Sequence, residues 1–138
     1  MADIFSSQKR SDIMSKISGK NTKPEILVRK FLFSQGFRYR INVKTLPGKP
    51  DIVLPKYKIA IFVHGCFWHG HDCKKGRLPS SNIDFWKNKI LNNKLRDNEN
   101  QTQLTLLGWK VIVIWQCEIS KIHKKIEIFN KLLKDIRH

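Results

Sequence analysis

Apolar residues recur along the chain with two periods, and the switches between them mark out the elements. From Thr22 the spacing is helical: Thr22 and Glu25 fit a capping box, Pro24 suits the first turn, and Gly36 stops the segment after FLFSQ. The period then drops to two. Phe37, Tyr39, Ile41 and Val43 alternate with Arg38, Arg40 and Asn42, which predicts a half-buried strand over 37–43. LPGKP (46–50) reads as a turn, DIVLP (51–55) as a short strand, 56–58 as a second turn and IAIFV (59–63) as a buried strand. Periodicity is lost over 64–80. It returns as a long helix from 81 or 82 to Leu107, stopped by Gly108 and followed by the buried strand WKVIVIW (109–115). Ile122, Ile126, Phe129, Leu133 and Ile136 then predict a last, amphipathic helix.

The predicted order is helix, three strands, helix, strand, helix. It describes an α/β sandwich around a mixed sheet, with three sequential strands in a meander and the fourth joined across the long helix. Residues 21–138 make one domain. Residues 1–20 stand apart as a basic, weakly apolar arm, partly helical, in which Met14 and Ile17 lie three apart.

Composition changes this picture mainly through charge. A chain of 138 residues that is 41% hydrophobic can bury a core. No apolar run approaches the ~20 residues of a membrane span, and the N-terminal stretch lacks the apolar region of a secretory signal. A cytoplasmic protein is expected. Lysine and arginine number 27 against 11 acidic residues, a net charge of +16. Such a balance calls for a polyanionic partner, and the mixed polar faces of the terminal helices disfavour a lipid surface. Nucleic acid is the expected partner, bound or cut.

The candidate chemistry is concentrated in Val63–Cys73, which holds three of the five histidines and two of the three cysteines. Cys66, His71 and Cys73 supply three local ligands and Cys117 a fourth, a set that suits structural zinc. Buried thiols without metal are the plainer alternative, disfavoured because one site consumes every cysteine of the chain. His69 and His71 lie two apart and can exchange roles at this level. Asp51 follows a turn, where an isolated Asp caps. It also opens a strand whose neighbour ends at Val63-His64, so a carboxylate and an imidazole can meet there, and a hard oxygen ligand suits Mg2+. Asp97 shares the apolar face of the long helix with Trp86, Ile90 and Leu104. Its spacing fits equally a salt bridge to Arg96 or Lys94 and a partner that makes a histidine a general base. Glu25 is explained by the cap. Phe67 and Trp68, by spacing alone, cover the zinc site rather than wedge between bases, a role also open to Met14.

The segments RSDIMSKI (10–17), NTKPEILVRKFL (21–32), GFRYR (36–40), LPGKPDIVLPKYKIAIFVHGCFWHGHDC (46–73), FWKNKI (85–90), RDNEN (96–100) and LGWKVIVIWQCE (107–118) resemble the very-short-patch repair endonucleases. LPGKPD and GCFWHGHDC together carry most of that resemblance. It implies a restriction-endonuclease-like fold and a DNA mismatch endonuclease. Such an enzyme nicks double-stranded DNA 5′ to the T of a T:G mismatch left by 5-methylcytosine deamination, giving a 5′-phosphate and a 3′-hydroxyl. It further implies that Asp51 and the backbone carbonyl of Val63 hold Mg2+ and that His69, supported by Asp97, activates water. His64 and Glu25 would organise the metal-bound waters, and Cys66, His71, Cys73 and Cys117 would hold structural Zn2+. Met14, Phe67 and Trp68 become wedges beside the mismatch, against the spacing-only reading. A mismatch-repair protein is a candidate partner, and the enzyme is expected to act as a monomer.

Two departures stand out. Phe62-Val63-His64 replaces the acidic-x-Lys signature of the wider nuclease group, and Val63 replaces a Thr of a familiar member, harmlessly if only the carbonyl binds metal. The alternatives are a nickase of the same fold with another DNA target and a zinc-stapled DNA-binding module without catalysis.

Overall fold

A computed structural model of the chain describes residues 22–137. Helix α1 (Lys23–Ser34) begins as its cap predicts, with Thr22 Oγ1 accepting from the Glu25 N–H at 3.4 Å. Glu25, Val28 and Leu32 form its buried face. Gly36 takes a left-handed φ of +82°, and Phe37 N donates to Leu32 O at 3.0 Å, so the chain turns back onto the core.

The strand predicted over 37–43 is much shorter. Strand β1 is Arg40–Ile41, and Ile41 is 42% exposed rather than inward. Phe37 is consumed by the core, and Asn42 at φ 50° ends the ladder. Strand β2 (Ile52–Leu54) leads through a 3-10 turn, Pro55–Tyr57, into β3 (Ile59–His64). After the aperiodic stretch, helix α2 (Ile83–Leu106) crosses over to β4 (Lys110–Trp115). A short helix that hydrophobic spacing did not predict, α3 (Gln116–Ile119), follows at once, and α4 (Ile122–Arg137) completes the described chain.

The sheet order is β1-β2-β3-β4. The first two pairings are antiparallel and β3–β4 is parallel, with His64 opposite Trp115. A parallel neighbour needs a long crossover, which α2 supplies. The α/β sandwich expected from the element order is therefore present. Alternation along β3 sends Ile59, Ile61 and Val63 into one cluster with α1 and α4, while Ala60 and Phe62 join Leu104 of α2 on the other side. His64, two residues beyond Phe62, shares the α2 side.

The predicted apolar face of α4 meets the core over its C-terminal part, with Leu133 packed against the buried cluster, but not over its first turns. Phe129, Leu132 and Ile136 are buried, whereas Ile122 and Ile126 are 64% and 53% exposed. Phe129 stacks on Phe31 of α1 at 4.3 Å, within the part of the helix that packs on the core.

Candidate active site and metal centre

Asp51 stands at the open end of β2, between the fully buried Pro50 and Ile52. Its Oδ2 accepts the Val63 N–H at 2.7 Å, tying the start of β2 to the end of β3. Burial pushes its carboxyl up to about 7 against the pull of that hydrogen bond, with the Glu25 carboxylate pushing the same way. Glu25 arrives from α1, 2% exposed, and its Oε2 accepts from Arg29 Nη2 at 3.0 Å. Its N–H serves the cap while its carboxylate reaches the cleft, so the cap was only half of its role.

His64 ends β3 and is 4% exposed. Its ring stacks on His69 at 3.7 Å with the planes 3° apart and meets the edge of Trp115 at 5.0 Å. Burial lowers its pKa to about 4, so the imidazole is neutral at neutral pH, and its buried Nδ1 has no hydrogen-bond partner among the described residues. His69 Nδ1 meets Asp97 Oδ2 at 2.5 Å. An Asp on Nδ1 selects the tautomer with a bare Nε2, the form a general base needs. Arg96 donates instead to Asn93 Oδ1 at 2.7 Å. The alkyl chain of Lys94 lies against Gly70, whose left-handed φ of +66° admits no side chain beside Ile90 and Lys94. Asp51, Glu25, Val63, His64, His69 and Asp97 line one cleft of about 300 Å³, together with Lys49, Asn100, Gln101 and Gln116, which pattern reading had not singled out.

Asp51 and His64 make opposed contributions to stability when no divalent cation is added. The folded state holds the Asp51 proton from the ordinary 3.8 up to about 7, so its contribution is full below 3.8 and is lost as pH rises to about 7. His64 is depressed from 6.5 to about 4, so its contribution is present above 6.5 and is lost as pH falls to about 4. Between those limits the two offset. Asp51→Asn leaves only the histidine, so the variant's Tm should rise from pH 4 to 6.5 more steeply than wild type. Parallel Tm–pH curves, recorded by circular dichroism, would show that Asp51 is not held protonated.

The second constellation is Cys66, His71, Cys73 and Cys117, whose ligand atoms all lie within 4.8 Å of one another. Cys117 N donates to Cys66 Sγ at 3.4 Å, and Cys117 Sγ lies 3.4 Å from His71 Nδ1. Helix α3 brings Cys117 here: Trp115 N donates to Glu118 Oε1 at 2.8 Å, turning the chain immediately after β4. His71 also stacks on Trp115 at 4.2 Å. His71 thus lies with the cysteines and His69 with Asp97, a division that spacing left open. The donors are thiols and an imidazole in a compact group, which fits a tetrahedrally coordinated transition metal.

Between the two constellations, Phe67 and Trp68 pack edge-to-face at 5.1 Å, and Trp86 of α2 meets them at 5.2 and 5.9 Å. Trp86, counted by periodicity with the core face of its helix, belongs to this aromatic group instead. The repeated Phe-Trp pair, 67–68 and 85–86, was the available signal. Met14 lies outside the described residues.

A strand-end carboxylate beside one from α1, an Asp-held histidine and a strongly basic chain define a nuclease, a hydrolase of nucleic-acid phosphodiesters. A sequence model described as DNA mismatch endonuclease Vsr matches residues 2–75, and the chain belongs to that endonuclease family. It is 56% identical over 137 residues to the type II nicking enzyme V.NmeAIP of Neisseria meningitidis, covering 99% of this chain and 98% of that protein. It is 48% identical over 122 residues to the type II nicking enzyme V.XorIIP of Xanthomonas oryzae, covering 88% and 90%. To the DNA mismatch endonuclease Vsr of Escherichia coli it is 38% identical over 119 residues, covering 86% and 76%. The protein is therefore a DNA endonuclease of the restriction-endonuclease-like α/β type, and a non-catalytic binding module is excluded. Among the described residues no helix is long and apolar enough to cross a membrane.

Proposed function

We propose that the protein nicks double-stranded DNA 5′ to the T of a T:G mismatch, using Mg2+ at Asp51 and structural Zn2+ at Cys66, His71, Cys73 and Cys117. The observation that carries this reading is the shared cleft of Asp51 and the His69–Asp97 pair in a chain of a mismatch-endonuclease family. Mg2+, held by Asp51 and the Val63 carbonyl, would supply Lewis-acid stabilisation of the phosphate and an acidified water. A carbonyl ligand is the same whether residue 63 is Val or Thr. His69 Nε2 takes the proton of the attacking water, and Asp97 steadies the imidazolium that results. Glu25 and the unpartnered His64 Nδ1 are suited to holding water in line. The water oxygen bonds to phosphorus as the P–O3′ bond breaks, and a solvent water protonates the departing O3′, leaving a 5′-phosphate and a 3′-hydroxyl.

Phe67 and Trp68, joined by Trp86, serve as wedges at the mispaired step, with Met14 contributing from the basic arm, residues 1–20, ahead of the endonuclease domain, residues 21–138. A wobble pair is cheaper to unstack than a matched one, which favours the mismatch. The reading takes the enzyme as a monomer acting in the cytoplasm, with a mismatch-repair protein as candidate partner. Its +16 charge makes affinity fall steeply with salt.

The relatives named nicking enzymes favour one second reading, a nickase with another DNA target. Matched 5′-labelled duplexes with and without a single T:G pair separate the two. Nicking of the T:G duplex is expected to be at least about 100-fold faster, a difference of roughly 3 kcal/mol. Equal rates would favour the second reading.

A further inference from the structure

The cleft is acidic in its side chains. Glu25, Asp51 and Asp97 line it; Arg29 pairs with Glu25 at 3.0 Å from outside the lining, and among the described lining residues Lys49 is the one lysine or arginine. A phosphodiester brings another negative charge, and more builds on its oxygens as phosphorus is attacked. The +16 balance of the chain draws DNA from a distance, but screened surface charge does not place a cation at the reacting atoms.

The backbone at Lys49 is unusually held. Gly48 and Lys49 are consecutive left-handed residues, at φ 76° and 49°. A Cβ on Gly48 would lie 2.9 Å from the Asn100 Cβ and 3.2 Å from the Phe62 ring, so the turn is pressed against α2 and β3. Lys49 N donates to Leu46 O at 3.1 Å, and Pro50 beyond it is fully buried. The chain is thus pinned on both sides of a residue that is itself exposed and lies two positions before Asp51. Turn chemistry alone would choose glycine or asparagine for this conformation. Nothing in the packing calls for lysine there, whereas a cation at that position suits a cleft that takes a phosphodiester.

We infer that Lys49 is a further functional residue of the cleft, its ammonium binding a non-bridging oxygen of the scissile phosphate and stabilising the charge that develops on it. The inference rests on the endonuclease reading of the same site. Lys49 transfers no proton. The water proton goes to His69, the electron pair of the broken P–O3′ bond goes to the departing oxygen, and Lys49 acts by charge alone.

The test compares Lys49→Gln, Lys49→Gly and Lys49→Arg with wild type in the metal-loaded full chain. Single-turnover nicking at saturating enzyme is measured beside equilibrium binding of the same duplex. The Gln and Gly variants should nick about 10²–10³-fold more slowly, the scale for losing one preorganised charge-stabilising group. They should bind DNA within about threefold of wild type, while Arg keeps the rate within about tenfold. Lys49→Gly relieves the left-handed strain, so it should melt no lower than wild type, and its lost rate cannot then reflect unfolding. Nicking by Gln and Gly variants within about threefold of wild type would overturn the inference, as would a loss confined to affinity and recovered at saturation. The comparison uses whichever duplex the wild type nicks, so failure of the T:G reading changes the substrate and leaves the test of Lys49 intact.

Discussion

Asp51→Asn is expected to slow Mg2+-dependent nicking by about 10³-fold or more, roughly 4 kcal/mol of barrier, while duplex binding is retained. The substitution is conservative in shape. Its side-chain oxygen can still accept the Val63 N–H that Asp51 takes at 2.7 Å, so the contact between strand ends survives. What disappears is the charge that draws a hard cation to the cleft. Because burial holds the Asp51 carboxyl near 7, Mg2+ must displace a proton below that pH. The Mg2+ concentration for half-maximal rate should therefore fall about tenfold per pH unit on approaching pH 7 and level off above it. Single-turnover gel assays with fluorescence anisotropy on one duplex read both quantities. An Asn variant within about tenfold of wild type would remove Asp51 from the metal site, and parallel loss of binding would make it structural. His69→Ala should act on the rate in the same way, by about 10²–10⁴-fold, the range for losing a general base.

The second large effect is expected at the cysteines. Cys73→Ala should reduce bound zinc from about one per chain to nearly none and lower Tm by about 10 °C or more, since structural zinc contributes directly to folding free energy. Cys73 is the informative choice because it is only partly buried, so its truncation leaves no large cavity, unlike the fully buried Cys66. The four clustered side chains, which could hold a metal ion, come from the loop after β3 and from α3 after β4. Between Cys66 and Cys73 that loop carries Phe67, Trp68 and His69, so on the proposed reading metal loss should loosen the aromatic group and the proposed base together. Without metal, burial keeps the Cys66 thiol protonated, with its pKa pushed up to about 12. Zinc is measured by inductively coupled plasma spectrometry and Tm by circular dichroism. A zinc-free Cys73→Ala protein with wild-type Tm and nicking would refute the metal staple.

Element order and sheet class were legible because each depends on local periodicity. The Thr22 cap, the alternation of Ile59 to Val63 and the helical run ended by Gly108 each report how one segment meets a core. Errors arose where a partner decides the outcome. Residues 37–43 alternate like a strand, yet β1 keeps only Arg40–Ile41, because Phe37 is drawn into the core and Asn42 turns left-handed. In α4 the apolar face is as periodicity predicts from Phe129 to Ile136, but the first turns have no core to pack on, leaving Ile122 and Ile126 outside. Helix α3 has no hydrophobic signature, since four residues are too few to show a period.

By itself, then, the amino-acid sequence determined the order of helices and strands, the polyanionic partner, the residue types able to hold two metals and, through its motifs, the family. The tertiary structure decided which of those residues meet. Periodicity constrains neighbours three or four positions apart, whereas His69 meets Asp97 across 28 positions and Cys117 meets Cys66 across 51. Such meetings depend on the crossover of α2 and the parallel register of β3 with β4, which no local spacing encodes. The same packing separated His69 from His71, recruited Trp86 to the aromatic group, and left Lys49 as the one lysine or arginine among the described residues lining the cleft.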